Sequence, residues 1–127
     1  MPLQLNKLQI NHQAETWLQK MGLEDRGAAY PDTLSGGELQ RLAIARALIH
    51  APIIVLADEP TGNLDSDTGQ QVLEILDNQC RAQGVTLVAV SHSAEVAARA
   101  DRVLQLDHGQ LLAPEMGPDM GPEISEP

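Results

Sequence analysis

The stretch Ile53-Ile54-Val55-Leu56-Ala57-Asp58-Glu59-Pro60 passes from an unbroken apolar run to two carboxylates and a proline. A short run without polar alternation is the pattern of a strand buried on both faces of a parallel sheet, and Asp58-Glu59-Pro60 ends it. Val85 to Val90 is a second such run. Between the two strands, Ser66 or Asp67 is placed to cap a helix carrying Val72, Ile75, Leu76, Gln79 and Cys80 down one side, with Gly84 closing it. Upstream, Ala14, Trp17, Leu18 and Met21 recur at the helical period and predict a helix over 12–22, stopped at Gly22. Ser35-Gly36-Gly37-Glu38 opens another helix, with the spacing of a capping box, which runs to about His50 before Ala51-Pro52. A short helix over 93–100 precedes a hairpin of 102–106 and 110–112, turning at Asp107-His108-Gly109. Helix–strand–helix–strand–helix order predicts an α/β fold with a parallel sheet flanked by helices.

The 127 residues suit one small domain or a piece of a larger one. Hydrophobic residues at 43% and charged residues at 20% are ordinary globular usage, which argues against wholesale disorder. Aromatics are only 2%, so the core must be built from Leu, Ile, Val and Ala. Lys and Arg number 8 against 18 Asp and Glu, a net charge of −10. That balance, with scattered basic residues, excludes nucleic acid as the expected partner. A lone Cys80 rules out an internal disulfide framework. With no apolar run near the ~20 residues of a membrane span, any membrane role is expected to come through a partner. Residues 113–127 hold a near-repeat of Met-Gly-Pro plus an acid, and four acids without a base; they are expected to be a disordered acidic tail.

Chemistry concentrates in three places. In Leu34-Ser35-Gly36-Gly37-Glu38-Leu39-Gln40-Arg41, two glycines after a capping hydroxyl let a ligand approach a helix N-terminus whose dipole favours phosphate. A bare Ser-Gly-Gly is ordinarily no more than a flexible lead-in; the full string carries the phosphate reading. Asp58 ends a strand where α/β sheets bind ligands, and suits Mg²⁺ held through its water shell. Glu59 beside it can orient and polarise an attacking water, the alternative being two solvated acids. His92 follows the second strand and, if the strands are neighbours, emerges on the same edge as Glu59, where it can meet a terminal phosphate. His12, His50 and His108 are read as ordinary polar residues, and Cys80 as packing.

Leu-Ser-Gly-Gly-Glu at 34–38, the apolar run into Asp58-Glu59-Pro60-Thr61, Asn63-Leu64-Asp65 and His92 occur in this order in ABC ATPases. They resemble that family's signature motif, Walker B, D-loop and switch histidine. The string Leu56-Ala57-Asp58-Glu59-Pro60-Thr61-Gly62-Asn63-Leu64-Asp65 looks most like the lipoprotein-release, macrolide-export and cell-division branch. The resemblance runs from about residue 8 to residue 112. It implies a partial P-loop NTPase fold, with part of the helical subdomain in 1–50 and the C-terminal part of the ATPase core in 51–112.

The resemblance also implies roles. Glu59 and His92 would be catalytic and Asp58 would hold the metal. Ser35, Gly36, Gly37 and Glu38 would contact, in trans, a nucleotide bound by a second subunit, and Asn63, Leu64 and Asp65 would lie at the dimer interface. ATP and Mg²⁺ are the implied cofactors. Implied partners are a second nucleotide-binding subunit and transmembrane permease subunits, at the cytoplasmic side of the inner membrane. The 127 residues contain no Gly-x-x-x-x-Gly-Lys-[Ser/Thr] phosphate loop; the only lysines, Lys7 and Lys20, are not preceded by glycine. Turnover is therefore expected only in an assembly that supplies one. Uncovered strand edges and faces are expected too. Two other readings fit parts of the pattern: a non-catalytic module lending the signature helix to a partner ATPase, and the lobe of a coiled-coil DNA-repair ATPase. Sustained heptads are absent and the chain is acidic, which disfavours the latter.

Overall fold

The computed structural model describes residues 6–27 and 33–112, so the acidic tail lies outside the described residues. The chain divides into two compact units, Met1–Ser91 and His92–Pro127. The first runs through helix α1 (Lys7–Lys20), a 3-10 turn (Glu24–Arg26), helix α2 (Gly36–Leu48), strand β1 (Ile54–Asp58), helix α3 (Ser66–Gln83) and strand β2 (Thr86–Val90). The second holds helix α4 (Ala94–Arg99) and an antiparallel pair, β3 (Gln105–Asp107) and β4 (Gln110–Leu112). Within that pair, His108 and Gly109 both take positive φ, the backbone a tight two-residue hairpin needs. Among the described residues no helix is long and apolar enough to cross a membrane.

Helix α1 begins at Lys7 rather than at residue 12. Asn6 Oδ1 accepts from the Gln9 N–H at 2.8 Å while Gln9 Oε1 accepts from the Asn6 N–H at 2.9 Å, a reciprocal capping box. Residues 7–12 are exposed, so the apolar period alone could not reveal this turn. The far end closes as read: Gly22 takes φ +69°, and the Leu23 N–H reaches back to the Leu18 carbonyl at 2.7 Å. That closure turns Met21 and Leu23 into full burial.

One core joins the elements of the first unit. Trp17 and Met21 meet Ile44, Ala45 and Leu48 of α2, Val55 of β1, and Val72, Leu76 and Cys80 of α3. On α3 the buried face is Gly69, Val72, Leu73, Leu76 and Cys80, while Gln79 is only half-buried. Its N-cap is Asp65, not Ser66 or Asp67: the Asp65 Oδ2 accepts from the Thr68 N–H at 3.4 Å.

Strands β1 and β2 pair in parallel, from Ile54 opposite Thr86 to Asp58 opposite Val90. The burial of both faces read from the apolar runs is corrected here, while the uncovered face expected beside it is present. Val55 is buried and Ala57 and Leu87 half-buried on the side of the helices. By strand alternation and register, Ile54, Leu56, Val88 and Val90 share the opposite side, and Leu56 and Val90 are 75% and 62% exposed. The residues are those of a doubly covered strand, but α2 and α3 cover one side only.

Candidate functional site

The start of α2 is built by a relay of polar contacts. Ser35 is extended, and its Oγ accepts from the Glu38 N–H at 3.1 Å while Glu38 Oε1 accepts from the Ser35 N–H at 3.1 Å. Arg26, on the 3-10 turn, donates through Nη2 to the Thr33 carbonyl at 2.9 Å and sets its Nε 3.2 Å from Glu38 Oε2. The Glu38 carboxyl is held below its ordinary range, foremost by the Ser35 N–H, then by the Ser35 side chain and the charges of Arg26 and Arg41, against some desolvation. Arg41 donates to the Met21 carbonyl at 3.1 Å, tying α2 to the end of α1. Neither arginine was singled out by the sequence, because their partners are set by the fold and not by local spacing.

The two glycines differ. Gly36 is exposed, and a Cβ there would lie 3.3 Å from the tip of Leu64, a flexible neighbour. Gly37 is buried, and a Cβ there would lie 2.5 Å from Thr68 Cγ2. Packing of α2 against α3 therefore requires glycine at 37, whereas 36 leaves the helix start open from outside. Helix geometry leaves the amides of Gly36 and Gly37 without an intrahelical acceptor, so the open end is a phosphate-compatible one.

Strand β1 ends in Asp58, which is exposed, followed by Glu59, which is half-buried. Glu59 takes φ +47°, uncommon for a residue with a side chain, and its N–H donates to the Val90 carbonyl at 2.8 Å. The turn then folds back on itself, with the Gly62 N–H on the Glu59 carbonyl at 3.1 Å. A Cβ at Gly62 would sit 3.3 Å from the Glu59 Cβ, so glycine lets the turn pass close to that side chain. Asn63 is exposed and Leu64 half-buried against the core. The Asp65 carboxyl is held below its ordinary range by the side chain and then the N–H of Thr68. Gln40 Nε2, from α2, donates to the Pro60 carbonyl at 2.7 Å.

The fold thus draws Ser35, Gly36, Gly37 and Glu38 together with the segment Asp58, Glu59, Asn63, Leu64 and Asp65, through Gln40, Leu64 and Thr68. His92 is exposed and opens the second unit. Among the described residues no group of three or more His, Cys, Asp or Glu is arranged to hold a metal. Asp58 is a single exposed carboxylate, a donor suited to Mg²⁺ carried mainly by water and phosphate oxygens. The fit to a magnesium nucleotide is therefore partial: carboxylates and an open helix end are present, and a phosphate-loop string is not among the 127 residues.

By fold class, this is a partial P-loop NTPase fold, with helices on a parallel sheet, similar to ABC ATPase cassettes. Residues 3–62 match the family model described as ABC transporter. The chain is 54% identical over 99 residues to an uncharacterized ABC transporter ATP-binding protein of Mycobacterium tuberculosis, covering 78% of this chain and 40% of that protein. It is 48% identical over 99 residues to the macrolide export ATP-binding/permease protein MacB of Escherichia coli, covering 78% of this chain and 15% of MacB. Among solved structures, the dimeric bacterial ABC transporter cassette MJ0796 superposes with a TM-score of 0.72 at 38% identity, covering 87% of this chain and 48% of that one. A post-hydrolysis structure of the same cassette is bound to ADP and Pi. The chain thus spans about 40% of the length of the first relatives. Family model, relatives and solved cassettes alike support the ABC ATPase family.

Proposed function

We propose that the chain is an ATP-binding subunit, or part of one, of an ABC transporter that energises export or lipoprotein release at the cytoplasmic face of the inner membrane. The observation that carries this reading is the bonding of the Ser35-capped, glycine-opened start of α2 to the turn that follows Asp58 and Glu59. In it, residues 1–50 form part of the helical subdomain and 51–112 the C-terminal part of the ATPase core. A second nucleotide-binding subunit and transmembrane permease subunits are its partners.

Each residue has work of its own. Ser35, Gly36 and Gly37 offer a hydroxyl, backbone amides and the helix dipole to the terminal phosphate of a nucleotide held by the second subunit. Glu38 keeps that end in shape by satisfying the Ser35 N–H. Glu59 orients a water and takes its proton, and His92 is the residue whose motif match assigns it to a terminal phosphate. Asn63, Leu64 and Asp65 form the subunit contact. Mg²⁺, when bound, neutralises phosphate charge, and Asp58 is the residue that would hold it.

Glu59→Gln tests the proposal in an assembly where a phosphate loop is supplied on the chain's own side, next to Asp58 and Glu59. The carboxamide keeps the shape but cannot accept the proton, so kcat is expected to fall by 10²-fold or more, the scale of lost general-base catalysis. Turnover unchanged by Glu59→Gln would instead leave only a non-catalytic module that lends its signature helix.

A further inference from the structure

In the first unit a directional bond joins two motifs that act at different places. Gln40 leaves α2 just beyond the Ser35–Glu38 capping box, and its Nε2 reaches the Pro60 carbonyl at 2.7 Å in a half-buried setting, across 20 residues of sequence. Pro60 is itself buried and follows Glu59, whose φ of +47° persists only if neighbouring contacts hold it. Proline has no N–H, so its carbonyl is the backbone handle by which this turn can be gripped. Steric neighbours also lie between the two motifs: the tip of Leu64 beside Gly36, and Thr68 against Gly37. They resist approach but do not pull. A hydrogen bond, unlike these, transmits displacement in both directions, and the Gln40 bond is such a link.

We propose that Gln40 is a positioning residue that couples the signature end of α2 to the Glu59–Gly62 turn, so that a shift at one is carried to the other. What the coupling serves rests on the function proposed above, in which the signature end meets a partner's nucleotide while Glu59 serves the chain's own side. The bond would make each chain report the state of one site to the other. A helix is stiff along its axis, and Gly37 lies flush on α3, so the signature end cannot move without moving Gln40.

The test reads amide resonances of the full chain by two-dimensional NMR. Ser35→Thr keeps the capping oxygen and adds a methyl at the signature end. In the otherwise unchanged chain it is expected to shift the amides of Glu59 and Gly62. In a Gln40→Met background, which keeps side-chain length and removes the donor, those shifts are expected to shrink at least threefold, and Gly62 amide exchange to speed up at least tenfold. Shifts of equal size in both backgrounds would overturn the coupling. Should Gln40→Met lose the native spectrum, Gln40→Lys restores a donor: transmitted shifts support the proposal, and a folded Lys variant without them overturns it. In the assembled ATPase, Gln40→Met is expected to lower kcat at least fivefold with KM for ATP within twofold. A Glu59→Gln assembly with unchanged turnover would sink the functional reading alone, since the spectral coupling does not depend on it.

Discussion

Two adjacent glycines make opposite demands on substitution. Gly37→Ala sets a methyl 2.5 Å from Thr68 Cγ2 and is expected to cost about 1–3 kcal/mol by overpacking, read as a lower denaturation midpoint. Thr68→Ser, which removes that methyl, is expected to restore most of the loss. Gly36→Ala meets only the flexible tip of Leu64 and gains helix propensity, so stability is expected to stay within about 1 kcal/mol while turnover of the assembly falls. The bare sequence presents the pair as one flexible lead-in; only the α2–α3 contact separates them. Glu38 gives a pH prediction. Its carboxyl titrates below its ordinary 4.5 when folded, so its contribution to stability is present above that value and drains away as pH falls through the folded pKa. NMR titration should place the midpoint below 4.5, and Arg26→Gln should move it upward.

Elements were legible wherever an apolar period or a breaker marked them. The runs ending at Asp58 and Val90 name both strands, and Gly22 and Gly84 name two helix ends. Helix starts were harder, because a cap is a polar contact that several neighbours can supply. Asp65, Ser66 and Asp67 all qualify by type, and the fold uses Asp65. Asp65→Ala is therefore expected to cost about 1 kcal/mol through loss of the α3 cap, and Asp65→Asn only a few tenths, measured by chemical denaturation. Ser66→Ala and Asp67→Ala should each do little to that cap. The left-handed backbone at Glu59 had no signal in the sequence at all, since Glu-Pro alone gives no reason for a positive φ.

At the scale of the whole molecule, the α/β class was readable from the order of helical periods and apolar runs, and the motifs from their resemblance to those of ABC ATPases. An uncovered face was expected from the missing phosphate-loop string, but which face is bare was not legible, because an apolar strand reads the same on either side. Ile54, Leu56, Val88 and Val90 leave an apolar face that monomeric proteins rarely display. The chain is expected to self-associate with rising concentration in sedimentation velocity, and Leu56→Lys to reduce that association without loss of the far-UV helix signal. That bare side of the sheet also bears on the chain's life in a cell. Molecules lacking a cover are the ones that chaperones hold and proteases remove, so the steady amount of this polypeptide would follow the supply of whatever shields those four side chains.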